Sequence, residues 1–242
     1  MPVKAVTFDF WNTLYADEGQ AYKGLTRRRV DILKRALREA DAEPDDQELL
    51  EVYRQGFAMY LDAWRNERHF GAREHVRFVF ESFGLDIPNP LLARTSAVME
   101  DVGLNFHLTL QRGAEEAIHR LSDAGIKLGI VSDTGITPGR VLLRYLRRDG
   151  LLHCFSGAAF SDQTGVAKPN ARMFNGCLEQ LGVEPGEAAH VGDMPRTDVA
   201  GAKRLGMIAI RFAGYDDRRE PPDADFVIRD HTALLRILEI EE

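Results

Sequence analysis

The stretch Val3-Lys4-Ala5-Val6-Thr7-Phe8-Asp9-Phe10-Trp11-Asn12-Thr13-Leu14 decides how the rest of the chain is read. Residues 3–8 form a short, mostly apolar run that stops at a carboxylate, Asp9. Such a run is expected of a parallel strand buried on both faces. A carboxylate at its carboxyl end is costly unless it is paired or used. Open parallel sheets bind their ligands just outside the carboxyl ends of the strands, so Asp9 marks a candidate site.

Outward from this stretch, the character changes over residues 18–102. Apolar residues recur at helical spacing: Val30, Leu33 and Leu37; Leu49, Tyr53, Phe57, Tyr60 and Trp64; Val76, Val79, Phe80 and Phe83; Leu91, Thr95, Val98 and Val102. Pro44, Gly71 and Pro88-Asn89-Pro90 punctuate them. No strand is expected there. From Leu110 the pattern alternates. Helices are predicted over 113–124, 170–181 and 198–205, and one more opens at Thr137-Pro138 with Thr137 as its N-cap. Strands are predicted over 126–131, 158–161, 188–192, 207–212 and 225–228, and a helix closes the chain. Alternation of this kind implies an α/β fold, a doubly wound parallel sheet covered on both faces. The expected division is a core of residues 1–15 and 107–242 and an inserted all-helical domain of residues 16–106, with hinges near 16–19 and 105–111.

A chain of 242 residues suits such a core with a smaller companion. Its 44% hydrophobic and 29% charged residues are ordinary for a globular protein. A formal net charge of −7 argues against non-specific binding to nucleic acid or to an anionic membrane. No apolar run is long enough to span a bilayer, and Asp9 falls where a signal peptide needs an apolar segment. The two cysteines, Cys154 and Cys177, sit in no metal-ligand spacing and are expected as reduced thiols in the cytoplasm. The seven histidines form no HxxxH-like pair, so no zinc site is suggested. The expected partner is a small molecule, and the oligomeric state is open.

Three further polar clusters follow predicted strands or lie just beyond them. They are Ser132-Asp133, Lys168 in Val166-Ala167-Lys168-Pro169, and Asp193 with Asp198 in Gly192-Asp193-Met194-Pro195-Arg196-Thr197-Asp198. Each alone has an ordinary explanation as a turn residue, a helix start or a cap. In this order they resemble the four motifs of the haloacid dehalogenase-like superfamily over nearly the whole chain, and the helical insert is similar to that superfamily's mobile cap of the first type.

The resemblance implies a Rossmann-like core and a hydrolase with Asp9 as nucleophile. It implies that Ser132 binds the transferring group, that Lys168 steadies charge, and that Trp11, Asn12 and Asp133 line the substrate site. It implies Mg2+ on Asp9, Asp193 and the Trp11 carbonyl, with Asp198 beside them. The chemistry is coherent. A carboxylate can take a phosphoryl group as an aspartyl phosphate, splitting one displacement into two. A hard, oxygen-loving cation offsets the repulsion between carboxylates and phosphate. Lys168 and Ser132 can donate to the non-bridging oxygens.

One position departs from the pattern. Most phosphatases of this superfamily carry a second Asp two residues after the nucleophile, as general acid and base; here Trp11 stands there. An indole N–H only donates, and general acid–base assistance contributes roughly 10²–10⁴-fold. Haloacid dehalogenases carry a Tyr at this position and use no magnesium, so a dehalogenase with Asp9 attacking carbon is one alternative. A low-turnover binder of a phosphorylated ligand is another. Retention of Asp193 and Asp198 favours a magnesium-dependent phosphatase acting on a small phosphorylated metabolite, with Asp17 and Asp133 the nearest stand-ins for the missing acid. Arg27, Arg28, Arg29, Arg65, Arg68 and Arg73 are expected on solvated faces, and Tyr53, Phe57, Tyr60 and Trp64 in the core rather than a substrate slot.

Overall fold

In the computed structural model the opening run forms β1 (Ala5–Phe8), entirely buried at the centre of a six-stranded sheet. The structure describes residues 3–17, 21–105 and 107–240. Glu18 and Gly19, in the expected entry hinge, and Phe106, the expected end of the insert, lie outside them. The remaining strands are β2 (Tyr15–Asp17), β3 (Leu108–Leu110), β4 (Lys127–Ser132), β5 (Phe155–Phe160), β6 (Ala188–Gly192), β7 (Ile208–Phe212) and β8 (Phe226–Ile228). The helices are α1 (Ala21–Glu39), α2 (Asp46–Arg65), α3 (Ala72–Ser82), α4 (Asn89–Asp101), α5 (Ala114–Asp123), α6 (Gly139–Arg148), α7 (Ser161–Thr164), α8 (Ala171–Leu181), α9 (Ala200–Arg204) and α10 (Ala233–Ile237).

The sheet runs β5-β4-β1-β6-β7-β8, with every neighbouring pair parallel. From β1 the chain first builds outward to β4 and β5, then returns to the other side through β6. The strand order therefore reverses around β1, the kind of crevice where such sheets bind ligands. Apolar side chains of α8 and α9 cover one face, among them Met173, Phe174, Leu178 and Ala202. The other face is continuous with Ile118 of α5, Leu142 of α6, Leu234 of α10 and the apolar sides of α1–α4. Burial on both faces is why β1, β4 and β6 read as mostly apolar runs.

Three local expectations are corrected. Pro138, not Thr137, is the N-cap of α6; the Thr137 hydroxyl instead accepts from Arg29 Nη2 at 3.0 Å. The helix expected from Asp198 is preceded by a wide π turn, Pro195–Val199, with regular α-helix only from Ala200. Two short strands were not anticipated: β2 and β3 pair antiparallel, with Asp17 opposite Leu108, where the chain enters and leaves the helical segment. Three residues are too few to show an alternating pattern.

Candidate active site

Asp9 follows β1 directly, and its N–H donates to the Val191 carbonyl at 2.8 Å, which fixes it beside β6. Ser132 ends β4, and Asp193 lies one residue beyond β6. Lys168, just ahead of α8, reaches across this end of the sheet. Its Nζ lies 2.8 Å from Asp9 Oδ1 and 2.6 Å from Asp198 Oδ1, with all three side chains buried. Asp198 comes from the π turn, where its second oxygen accepts from the Met194 N–H at 2.9 Å. This close approach explains Gly192: a Cβ there would stand 2.2 Å from Asp198 Cγ, so no other residue fits without moving the acid.

Behind these groups runs a polar thread that the sequence reading missed. His190 on β6 lies 3.2 Å from Asp198 Oδ1 through Nε2 and 2.9 Å from the Thr7 hydroxyl through Nδ1. Thr7 and His190 are direct partners across β1 and β6. The available signal was a polar residue at the same register in two otherwise apolar, fully buried strands, since buried polar groups normally have partners.

The electrostatics follow from burial. Burial works against charge on Asp198, yet Lys168 and His190 hold its carboxyl well below the usual range. Burial likewise opposes charge on Lys168, but Asp198, Asp9 and Asp133 together raise its pKa. Asp9 is raised by burial and by Asp198, against the pull of Lys168 and the Ser132 hydroxyl. Asp193 is pushed up to about 8 by burial and by its neighbours Asp198 and Asp9.

Carboxylate oxygens of Asp9, Asp193 and Asp198 lie within 4.8 Å of one another, and one buried oxygen of Asp193 has no hydrogen-bond partner. A pocket with surplus negative charge and an orphaned carboxylate oxygen fits a hard cation such as Mg2+. Asp198 is already engaged by Lys168, His190 and Met194, which leaves Asp9 and Asp193 as the better donors.

A cavity of about 560 Å³ opens above these groups. Asp9, Trp11, Asn12, Asp133, Lys168, Asp193 and Asp198 all border it, while Ser132 is fully buried beneath and hydrogen-bonds Asp9. Asn12 adopts a left-handed φ of 57°, which Asn tolerates well. Its N–H donates to the Tyr15 carbonyl at 2.7 Å, folding the chain after Asp9 into a tight turn that presents Trp11. The roof comes from α2. Phe57, Tyr60 and Trp64 face the cavity, and Phe57 is 46% exposed. The core expectation for these rings is therefore corrected; it holds for Tyr53, which is buried against His75. Trp64 Nε1–H donates to Asp133 Oδ2 at 2.8 Å, while the other Asp133 oxygen accepts from the Lys168 N–H at 2.8 Å. Arg29 also borders the cavity, against expectation, whereas Arg27, Arg28, Arg65, Arg68 and Arg73 are exposed. Asp133 borders the cavity and Asp17 does not.

The comparisons agree with this geometry. The haloacid dehalogenase-like hydrolase family matches residues 3–206. A glyceraldehyde 3-phosphate phosphatase of Methanopyrus kandleri is 32% identical over 92% of this chain and 90% of its own. Among solved structures, a HAD phosphatase from Thermococcus onnurineus is similar at 29% identity, with a TM-score of 0.66 over 99% of each chain. A 2-haloacid dehalogenase from Pseudomonas syringae shares the fold at 23% identity and a TM-score of 0.71, over 98% of each. No helix among the described residues is long and apolar enough to cross a membrane. With four motif residues converging at the ends of parallel strands and a family match over most of its length, the chain belongs to the haloacid dehalogenase-like hydrolases and is an enzyme of that family.

Proposed function

We propose that this hydrolase is a magnesium-dependent phosphatase acting on a small phosphorylated metabolite through an aspartyl phosphate on Asp9. The observation that carries the reading is the convergence of Asp9, Asp193 and Asp198 on one point, with Lys168 bridging two of them and an Asp193 oxygen left over. A dehalogenase attacking carbon has no use for that surplus of carboxylates. The phosphatase relative from Methanopyrus kandleri, aligned over nearly all of both chains, supports the same side.

In the first step an Asp9 oxygen attacks phosphorus, the bond to the leaving oxygen breaks, and the leaving group takes a proton from solvent. In the second, water attacks the aspartyl phosphate, losing a proton as inorganic phosphate departs and Asp9 is restored. Lys168 holds the transferring oxygens, and the buried Ser132 hydroxyl steadies Asp9 from beneath. Mg2+, held by Asp9, Asp193 and the Trp11 carbonyl, would supply compensation for the phosphate charge. Residues 16–106 act as a cap, and the aromatic face of α2 shields the reacting group from water. Asp198 positions Lys168.

The test is calorimetric titration of magnesium into the wild type and Asp193→Asn, with a parallel screen of phosphorylated metabolites and haloacids. Phosphate release that requires magnesium in the wild type and falls at least about a hundredfold in Asp193→Asn supports the reading. Equal magnesium binding by both proteins rules out the metal assignment. Chloride release without magnesium moves the enzyme to the dehalogenases.

A further inference from the structure

At the far end of the sheet from Asp9, three soft donors meet on two elements. His119 lies on α5, while His153 and Cys154 form the end of the short 3-10 turn Leu152–Cys154 that leads into β5. Cys154 Sγ lies 3.5 Å from His153 Nε2 and 3.9 Å from His119 Nδ1, and the three donor atoms fall within 4.8 Å of one another. A tetrahedral zinc ion with bonds of about 2.3 Å to sulfur and about 2.0–2.1 Å to nitrogen separates those two donors by about 3.6 Å. The side chains already stand at that spacing. Their exposure is also suitable: Cys154 is 8% exposed, His119 half-buried and His153 exposed, so an ion can enter from solvent onto a mostly shielded thiol.

We propose that His119, His153 and Cys154 form a site for a thiophilic divalent cation, zinc above all, which staples α5 to the turn before β5. Two imidazoles and a thiolate are the donor set that zinc takes and magnesium refuses. Water can complete the tetrahedron on the side where His153 faces solvent. On binding, the S–H bond breaks, a bond between sulfur and zinc forms, and the proton leaves to solvent. The sequence hides this site because its ligands are separated by a strand and a helix, so no motif spacing exists to read. Its place at the amino ends of the strands separates it from the carboxylate cluster, and its role is to hold structure rather than to act on substrate.

Cobalt(II), added to the full chain in saturating magnesium, is the probe. A thiolate bound to cobalt gives a ligand-to-metal charge-transfer absorption that carboxylate sites lack. Cys177 is fully buried under the sheet, so Cys154 is the one thiol able to produce it. The expected result is one equivalent of cobalt with that absorption, displaced by zinc, abolished in Cys154→Ser, weakened at least tenfold in His119→Ala and unchanged in Asp193→Asn. Zinc at about a hundredfold excess over its Kd should raise the wild-type Tm by about 5–10 °C and leave Cys154→Ser unmoved. Cys154→Ser and His119→Ala should match the wild-type Tm in chelator, which shows that they fold. A wild type with no charge-transfer absorption, or an absorption that survives Cys154→Ser, overturns the site. Cobalt binding lost entirely in Asp193→Asn assigns all of it to the carboxylate cluster and overturns it equally.

Discussion

Trp11 borders the cavity beside Asp9, edge-on to Phe10, where a second carboxylate would otherwise take and return the proton. On the proposed phosphatase reading, and with no group in its place, both formation and breakdown of the aspartyl phosphate would be slowed, and an activated aryl phosphate relieves only the first. Hydrolysis of such a substrate should begin with a burst and continue slowly. Trp11→Asp should raise the steady-state rate at least about tenfold. Stopped-flow kinetics of the two proteins check this; rapid turnover without a burst in the wild type points to another proton carrier. Asp133 is then the first to test, because burial lifts its carboxyl to about 6 despite Lys168, close to a working pH. At this scale the sequence was informative where a motif residue ends or directly follows a strand, as Asp9, Ser132, Asp133 and Asp193 do, and the motif order also brought Lys168 and Asp198 to the same end of the sheet. It was uninformative for His190, whose partners Thr7 and Asp198 lie on neighbouring segments.

Helix α2 shows what periodicity can and cannot say. Leu49, Val52 and Tyr53 on this helix are buried, as helical spacing predicts, but the same apolar rhythm continues through Phe57, Tyr60 and Trp64 into the cavity. A ring facing a cavity and a ring facing a core have the same spacing, so only the placement of α2 against the loop that follows β4 separates them. The Trp64–Asp133 hydrogen bond is one of the contacts that hold this placement, together with the backbone bonds of Glu67 and His69 to Ala167 and Gly165. Trp64→Phe keeps most of the ring but removes the donor, leaving one oxygen of Asp133 without its partner. We expect KM for the substrate to rise roughly tenfold, about 1.4 kcal/mol, with kcat little changed. A fall in kcat at constant KM would mean that Trp64 acts on the chemistry and not on closure.

Over the whole molecule, acid should be destabilising in both the helical insert and the core. His75 in α3 is held neutral, with its pKa lowered to about 4 by burial and by the Arg29 charge. His231, stacked on Phe212 beneath the sheet, is lowered to about 4 by burial, although the Arg112 carbonyl opposes this. Since an unfolded histidine titrates near 6.5, the unfolded chain binds more protons between about pH 6.5 and pH 4. The stability these residues provide is complete above that window and is lost as pH falls through it, by about 3 kcal/mol for each. Chemical denaturation at a series of pH values should show this slope. His75→Gln, which does not titrate, should reduce it by up to about 1.4 kcal/mol per pH unit. An unchanged slope would mean that His75 does not titrate on folding. The layered α/β architecture was legible because alternating elements must cover a parallel sheet. The buried histidines were not, since a His on a helix face, as His75, or in a turn, as His231, reads the same whether it is solvated or sealed.

The pairing of Asp17 with Leu108 places the two ends of the helical segment side by side. A chain severed at both points would leave two stumps already held together by a ladder of backbone hydrogen bonds, within reach of a turn of a few residues. The strand carrying the nucleophile and the strand after the segment would keep their order and spacing. A substitute segment would have to cover again the apolar face that α1–α4 share with the core, but the chain would need no new path to enter and leave it.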